Sequence, residues 1–169
     1  MADVKIRESK PGTNLLYLRD EELRQGIELL FFAYRDFTSD PDEILARDGL
    51  GRAHHRAIYF IGRKPEITIA DLLDTLKITK QSLGRVLKQL IALGLVEQKA
   101  GTRDRRQRHL RLTPAGIQLE HRLTQPQRER VARAFREAGP DAVAGFRKVL
   151  IGLINEEDRP TVLEPFSRE

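Results

Sequence analysis

The chain has 169 residues, 40% hydrophobic and 33% charged, with a net charge of +5 and no cysteine. That length fits one domain, or one domain with a dimerisation appendage, and can bury a sizeable core. Disulfides, thiolate metal sites, catalytic thiols and cysteine-based redox sensing are excluded; no apolar run approaches the roughly 18 residues of a membrane span, and no apolar stretch follows the N-terminal charges, so the expected compartment is the cytoplasm rather than an export route.

Residues 1–17 lack periodicity and hold Pro11-Gly12, which predicts an arm. Asp20, Glu21 and Glu22 then mark a helix start, because acidic groups suit the positive end of a helix. Leu23, Ile27, Leu30, Tyr34 and Phe37 follow as one apolar stripe, widened by Leu29, Phe31, Phe32 and Ala33. A helix this apolar must be covered on more than one side, either by a thick domain or by another chain. Ser39-Asp40-Pro41 is expected to end it.

A second helix is predicted from Gly51 to Arg63, stopping before Lys64-Pro65. Thr68 and Asp71 fit a capping box ahead of Ile69, Leu72, Leu73 and Leu76. Thr79 fits a second N-cap, and the helix after it turns Leu83, Val86, Leu87, Leu90 and Ile91 inward before ending at Gly94. "LVEQK" and "RHLRLT" can pair as strands across a basic loop. Thr113-Pro114 opens a long helix reaching to Ala138, ahead of Gly139-Pro140. A last helix, Asp141 to Asn155, presents Val143, Phe146, Val149, Leu150, Leu153 and Ile154, and the remaining residues read as a tail.

The charge is concentrated. Lys80 to Arg111 holds nine basic residues against Glu97 and Asp104, so this window carries +7 and the rest of the chain −2. Such packing is the footprint of a polyanion site.

Helix, short helix, tight turn, helix, strand, basic loop, strand is the order of a winged helix-turn-helix. The fold expected is mainly α with a small β-wing and a helical dimerisation region built from both termini. The second helix of such a motif enters the DNA major groove, about 12 Å wide. With its leucines inward, Gln81, Ser82, Arg85 and Lys88 face outward, residue types that bond base edges or phosphates. Thr79 and Lys80 sit at the helix N-terminus, where free N–H groups favour a phosphate. Lys99, Arg103, Arg105, Arg106 and Arg108 arm the wing, since arginine suits a narrow, electronegative minor groove. Asp104, set among these arginines, would hold one guanidinium in a bidentate bond and keep the wing in shape.

The run "TIADLLDTLKITKQSLGRVLKQLIALGLVEQKAGTRDRRQRHLRLTPAG", residues 68–116, resembles the MarR family of bacterial transcription regulators. The resemblance implies a homodimer with interlocked N- and C-terminal helices and two winged lobes on a palindromic operator in double-stranded DNA. It maps the family's wing aspartate and arginine onto Asp104 and Arg106, making Arg106 the leading wing contact or anchor. Many members release DNA on binding a small aromatic ligand between the dimer helices and the DNA lobe. The division expected is an arm and dimerisation helix over 1–50, a DNA-binding lobe over 51–116, and connecting and dimerisation helices over 117–169.

Tyr34, His55 and Tyr59 are candidates to line an effector pocket, although aromatics at helical spacing are more often core. Adjacent His54 and His55 point about 100° apart on a helix and cannot easily chelate one metal. His109 is expected to flank DNA backbone or lie exposed, and His121 has no partner at metal-ligand spacing. No metal site, cofactor or nucleophilic triad is expected, hence no enzyme. The function expected is a sequence-specific regulator, acting as a repressor; the alternative is a winged-helix module whose basic wing meets an acidic protein.

Overall fold

The computed structural model describes residues 15–101 and 107–164. The chain forms two compact units that divide between Ser39 and Asp40.

A 3-10 turn, Leu15–Leu18, leads into helix α1, Asp20–Ala46, which belongs to the first unit as far as Ser39. Its first turn carries Asp20, Glu21 and Glu22, and Arg24 bonds back to Asp20 at 2.9 Å. The apolar stripe is where the spacing puts it, yet it stays in solvent: Ile27 is 70% exposed and Leu30 48%. Leu23, Leu29, Phe31, Phe32 and Tyr34 are exposed with them.

The expected stop at Ser39-Asp40-Pro41 does not occur, because α1 continues through Pro41 to Ala46. Proline removes one helical N–H and crowds the carbonyl four residues back. Side-chain hydroxyls repair the turn before it: Thr38 Oγ1 donates to the carbonyls of Tyr34 (3.0 Å) and Arg35 (3.1 Å), and Ser39 Oγ to that of Asp36 (2.8 Å). The Pro41 ring is itself fully buried, so packing holds the helix past a residue that would otherwise break it.

The second unit is built on α2, Arg52–Arg63, whose Ala57, Ile58 and Ile61 are fully buried. Around it pack α3 (Ile69–Leu76), α4 (Lys80–Ala92), strand β3 (Arg108–Leu112) and α5 (Pro114–Ala138). Leu45, Leu72, Leu83, Leu90, Leu110 and Leu123 close one continuous core with them. Burying such side chains stabilises by about 1.5–3 kcal/mol each, which is what fixes these helices on one another.

The turn between α3 and α4 is tight because Lys77 adopts the left-handed conformation (φ 49°) while its N–H bonds the Leu73 carbonyl at 2.9 Å. Thr79 then caps α4, its hydroxyl accepting from the Ser82 N–H at 3.1 Å. At the other end Gly94 (φ 68°) closes a Schellman motif: its N–H bonds Ile91 O, and the Leu95 N–H bonds Leu90 O, both at 2.9 Å. Ile91, expected inward, is 38% exposed: it follows Leu90 onto the edge of the buried stripe.

Strand β2 (Val96–Ala100) pairs antiparallel with β3, Val96 opposite Leu112 and Ala100 opposite Arg108. A two-residue strand β1, Ile67–Thr68, adds to the far side of β3, giving the order β1-β3-β2. β1 escapes a sequence reading because two residues carry no alternation. Thr113 caps α5, and the helix ends at Ala138 as its Gly139-Pro140 boundary predicts.

Helix α6 runs Pro140–Leu153 with no residue buried; Phe146, Val149 and Leu153 are exposed. The expected tail contains a further short helix, α7, Arg159–Leu163. Arg159 makes this possible: its guanidinium donates to the carbonyls of Ile154 and Gly152, both at 3.0 Å, satisfying the end of α6. Asp158 meets Lys77 at 3.0 Å.

Candidate nucleic-acid interface

Helix α4 separates its two jobs by face. Leu83, Val86, Leu87 and Leu90 are buried, while Lys80, Gln81, Ser82, Arg85 and Lys88 are exposed. Residues three and four apart share a helix face, so Gln81, Arg85 and Lys88 form one stripe, with Ser82 beside it and Thr79 at the helix entrance. None of Lys80, Arg85, Lys88 or Arg108 forms an ion pair with a described carboxylate.

The hairpin root is ordered by register. Leu110 and Leu112 turn into the core, and Glu97, Lys99, His109 and Arg111 share the opposite face. Lys99 is held by Glu97 at 3.2 Å and Arg111 by Glu66 at 2.6 Å. Arg108 is exposed at the last rung, and the Gly101 N–H bonds the Gln107 carbonyl at 3.0 Å. Arg103, Asp104, Arg105 and Arg106 lie outside the described residues. His109, expected to flank DNA backbone or lie exposed, is half-buried and donates Nδ1–H to the Glu66 carbonyl at 2.8 Å, beside β1 across the sheet.

One contact fixes the wing root and has no sequence signal beyond a glycine. Gly116 on α5 is buried against the Leu95 carbonyl so closely that a Cβ there would overlap the backbone oxygen. Thr113 clamps the same junction: its N–H bonds Leu95 O at 3.1 Å and its hydroxyl Gly94 O at 2.6 Å. The end of α4, the start of β2 and the start of α5 thus meet at one point.

The effector candidates divide between the units. Tyr34 is on the exposed face of the first. His55 and Tyr59, one turn apart on α2, share a half-buried face in the second. Burial pushes the His55 imidazole below its ordinary pKa, against the opposing pull of Asp42 and Glu120, with Arg56 adding to the fall. A cavity of about 160 Å³ in the second unit is lined by Asp40, Pro126, Glu129, Arg130 and Arg133. Its walls are charged, and none of the three candidates lines it. Among the described residues no group of three His, Asp or Glu is placed to hold a metal, and no helix is long and apolar enough to cross a membrane.

A helix-turn-helix that keeps a cationic, polar face clear of its core, followed by a β-hairpin, is a winged helix-turn-helix. Residues 48–107 match the model of the MarR family. HTH-type transcriptional regulator PetP of Rhodobacter capsulatus is 56% identical over 144 residues, covering 85% of this chain and 87% of that one. Similar solved structures include FabT of Streptococcus pneumoniae in complex with DNA, with TM-score 0.68, 20% identity, and 78% and 94% of the two chains covered. A mutant MarR of E. coli in complex with operator DNA gives TM-score 0.61, 21% identity, and 83% and 99% coverage. The chain belongs to the MarR family. It is a transcription regulator of winged-helix fold and not an enzyme.

Proposed function

We propose that two copies of this chain grip a palindromic operator in double-stranded DNA and repress transcription from it. The observation that carries the reading is the outward face of α4, where Gln81, Ser82, Arg85 and Lys88 stand exposed above a buried apolar face. Gln81 and Arg85 read base edges; Thr79, Lys80, Ser82 and Lys88 hold phosphates. Lys99, Arg103, Arg105, Arg106 and Arg108 serve the wing, with Asp104 ordering an arginine. The relatives' DNA complexes support the docking mode.

Dimerisation is supported by two exposed apolar faces, one on α1 around Ile27, Leu30 and Phe31 and one on α6 around Phe146, Val149 and Leu153. Apolar surface this contiguous rarely stays bare on a soluble monomer. Residues 1–50 and 117–169 would supply the dimer, and 51–116 the DNA lobe. Release by a small aromatic effector, with Tyr34, His55 and Tyr59 as its contacts, completes the proposal, and the action belongs in the cytoplasm with the DNA.

Selection of bound duplexes from a random library with the purified protein tests the reading. A palindromic consensus, bound in a salt-dependent way by a species of twice 19.4 kDa in light scattering, is the expected result. Failure to enrich any sequence, with tight capture of acidic protein instead, would favour a protein-interaction module.

A further inference from the structure

We propose that His54 is a positioning residue for the recognition helix: its imidazole is the centre of a hydrogen-bonded chain that ties Gln89 of α4 to the loop before α2. The inference rests on the DNA-reading role of α4. His54 is the third residue of α2, and its cap residue, Gly51, has no side chain with which to bond the helix. The bond runs the other way, from the Gly51 N–H to His54 Nδ1 at 3.1 Å. Nδ1 therefore carries no proton. The proton sits on Nε2, which donates to Gln89 Oε1 at 2.9 Å. The Gln89 amide nitrogen in turn faces the Gly49 carbonyl at 3.4 Å.

Gln89 lies four residues beyond Arg85 and eight beyond Gln81, on the same outward stripe. A free glutamine there would be a reader of adenine edges. Here both ends of its amide are engaged within the protein, so it acts as a strut instead. The need for a strut follows from the packing. Leu83, Val86, Leu87 and Leu90 set how closely α4 lies on the core, but apolar contact is non-directional and tolerates rotation about the helix axis. Hydrogen bonds are directional. The His54–Gln89–Gly49 chain supplies one near the end of α4, tying the helix to α2 and the loop before it, and so fixes the angle at which Gln81 and Arg85 leave the surface. Because Gln89 is already immobilised in the free protein, no side-chain ordering at that site is left for DNA binding to drive.

The test uses the full chain and an operator obtained by selection. Affinities for operator and for random duplex are measured at fixed salt for wild type, His54→Ala, Gln89→Ala, the double variant and His54→Gln, with melting curves alongside. His54→Ala and Gln89→Ala are each expected to weaken operator binding about five- to tenfold and random binding little, and the double variant to match either single one, because all three break one chain. His54→Gln keeps an acceptor for the Gly51 N–H and should melt like wild type, yet lose operator affinity as His54→Ala does. Nitrogen NMR of the wild-type imidazole should show the proton on Nε2. Additive losses, equal losses on random DNA, or a loss with Gln89→Ala but not with His54→Ala would overturn the inference; in the last case Gln89 itself reads a base. A wild-type protein that selects no sequence would overturn the DNA reading and this inference with it, whereas a selected operator without coupling removes the inference alone.

Discussion

Replacing Gly116 by alanine adds one methyl group, and the structure says where it must go: into the carbonyl of Leu95. A flexible side chain could swing aside, but this obstacle is backbone and is held from three directions. The Leu95 N–H is bonded to Leu90 O at 2.9 Å, its carbonyl accepts from the Thr113 N–H at 3.1 Å, and Gly94 next to it accepts the Thr113 hydroxyl at 2.6 Å. Relief requires α5 to move off the root of β2, breaking part of that clamp. Overpacking of this kind costs about 1–3 kcal/mol, and an immovable neighbour puts the value near 3. At about 2–4 °C per kcal/mol for a chain of this length, the melting temperature should fall by about 6–12 °C. Gly84→Ala is the matched control. It lies within α4 with nothing inside 4 Å of an added Cβ, so relief of helix entropy should raise stability by about 0.5–1 kcal/mol. Thermal and urea melts of both variants decide the matter. A Gly116→Ala protein melting within about 2 °C of wild type would show that the junction is not the rigid joint described.

Arg85→Ala should cost about 1–3 kcal/mol on the operator and relax specificity at one base, whereas Lys88→Ala should weaken operator and random DNA alike. Equal losses from Arg85→Ala on both would place the reading face elsewhere on α4. Arg106→Ala should weaken operator binding about tenfold or more while leaving the melt unchanged, since a lost groove contact is worth about a kcal/mol or more. Asp104→Ala should also weaken binding, against the sign of simple charge, and tighter binding would reduce the wing to a diffuse cationic cloud. Because burial lowers the His55 pKa from 6.5, the folded state takes up a proton less readily than the unfolded one. Its contribution to stability is present above that ordinary value and lost as pH falls through the depressed one. Urea midpoints should therefore drop on acidification below about pH 6.5, and His55→Gln should flatten the fall.

The winged helix-turn-helix was legible because its signals are local. Thr79, Thr113 and Gly94 mark helix ends by their own chemistry, and the leucine spacing of α4 fixes its rotation without reference to the rest of the fold. Pro41 misled for the same reason: its breaking tendency is local, and the burial that overrides it is not. His109 and Gly116 were opaque because their partners, Glu66 and Leu95, lie 43 and 21 positions away in the chain. Gln89 carries no local signal of its bonding, because its partner His54 lies 35 positions earlier in the chain. The tail hid a helix for want of any apolar period in five residues, its cause being an arginine that reaches back to α6.

The division of α4 into two faces has an evolutionary corollary. Gln81, Ser82, Arg85 and Lys88 are exposed and contribute little to the core, so substitutions there should be almost silent for folding. On the proposed reading of DNA by these side chains, selection can move the preferred sequence one position at a time, without a compensating change at Leu83, Val86, Leu87 or Leu90. Duplicated genes could diverge to new targets by drift across those four sites while the scaffold stays constant. The same separation makes them the natural positions to randomise in a library meant to redirect the protein, since nearly every member should still fold.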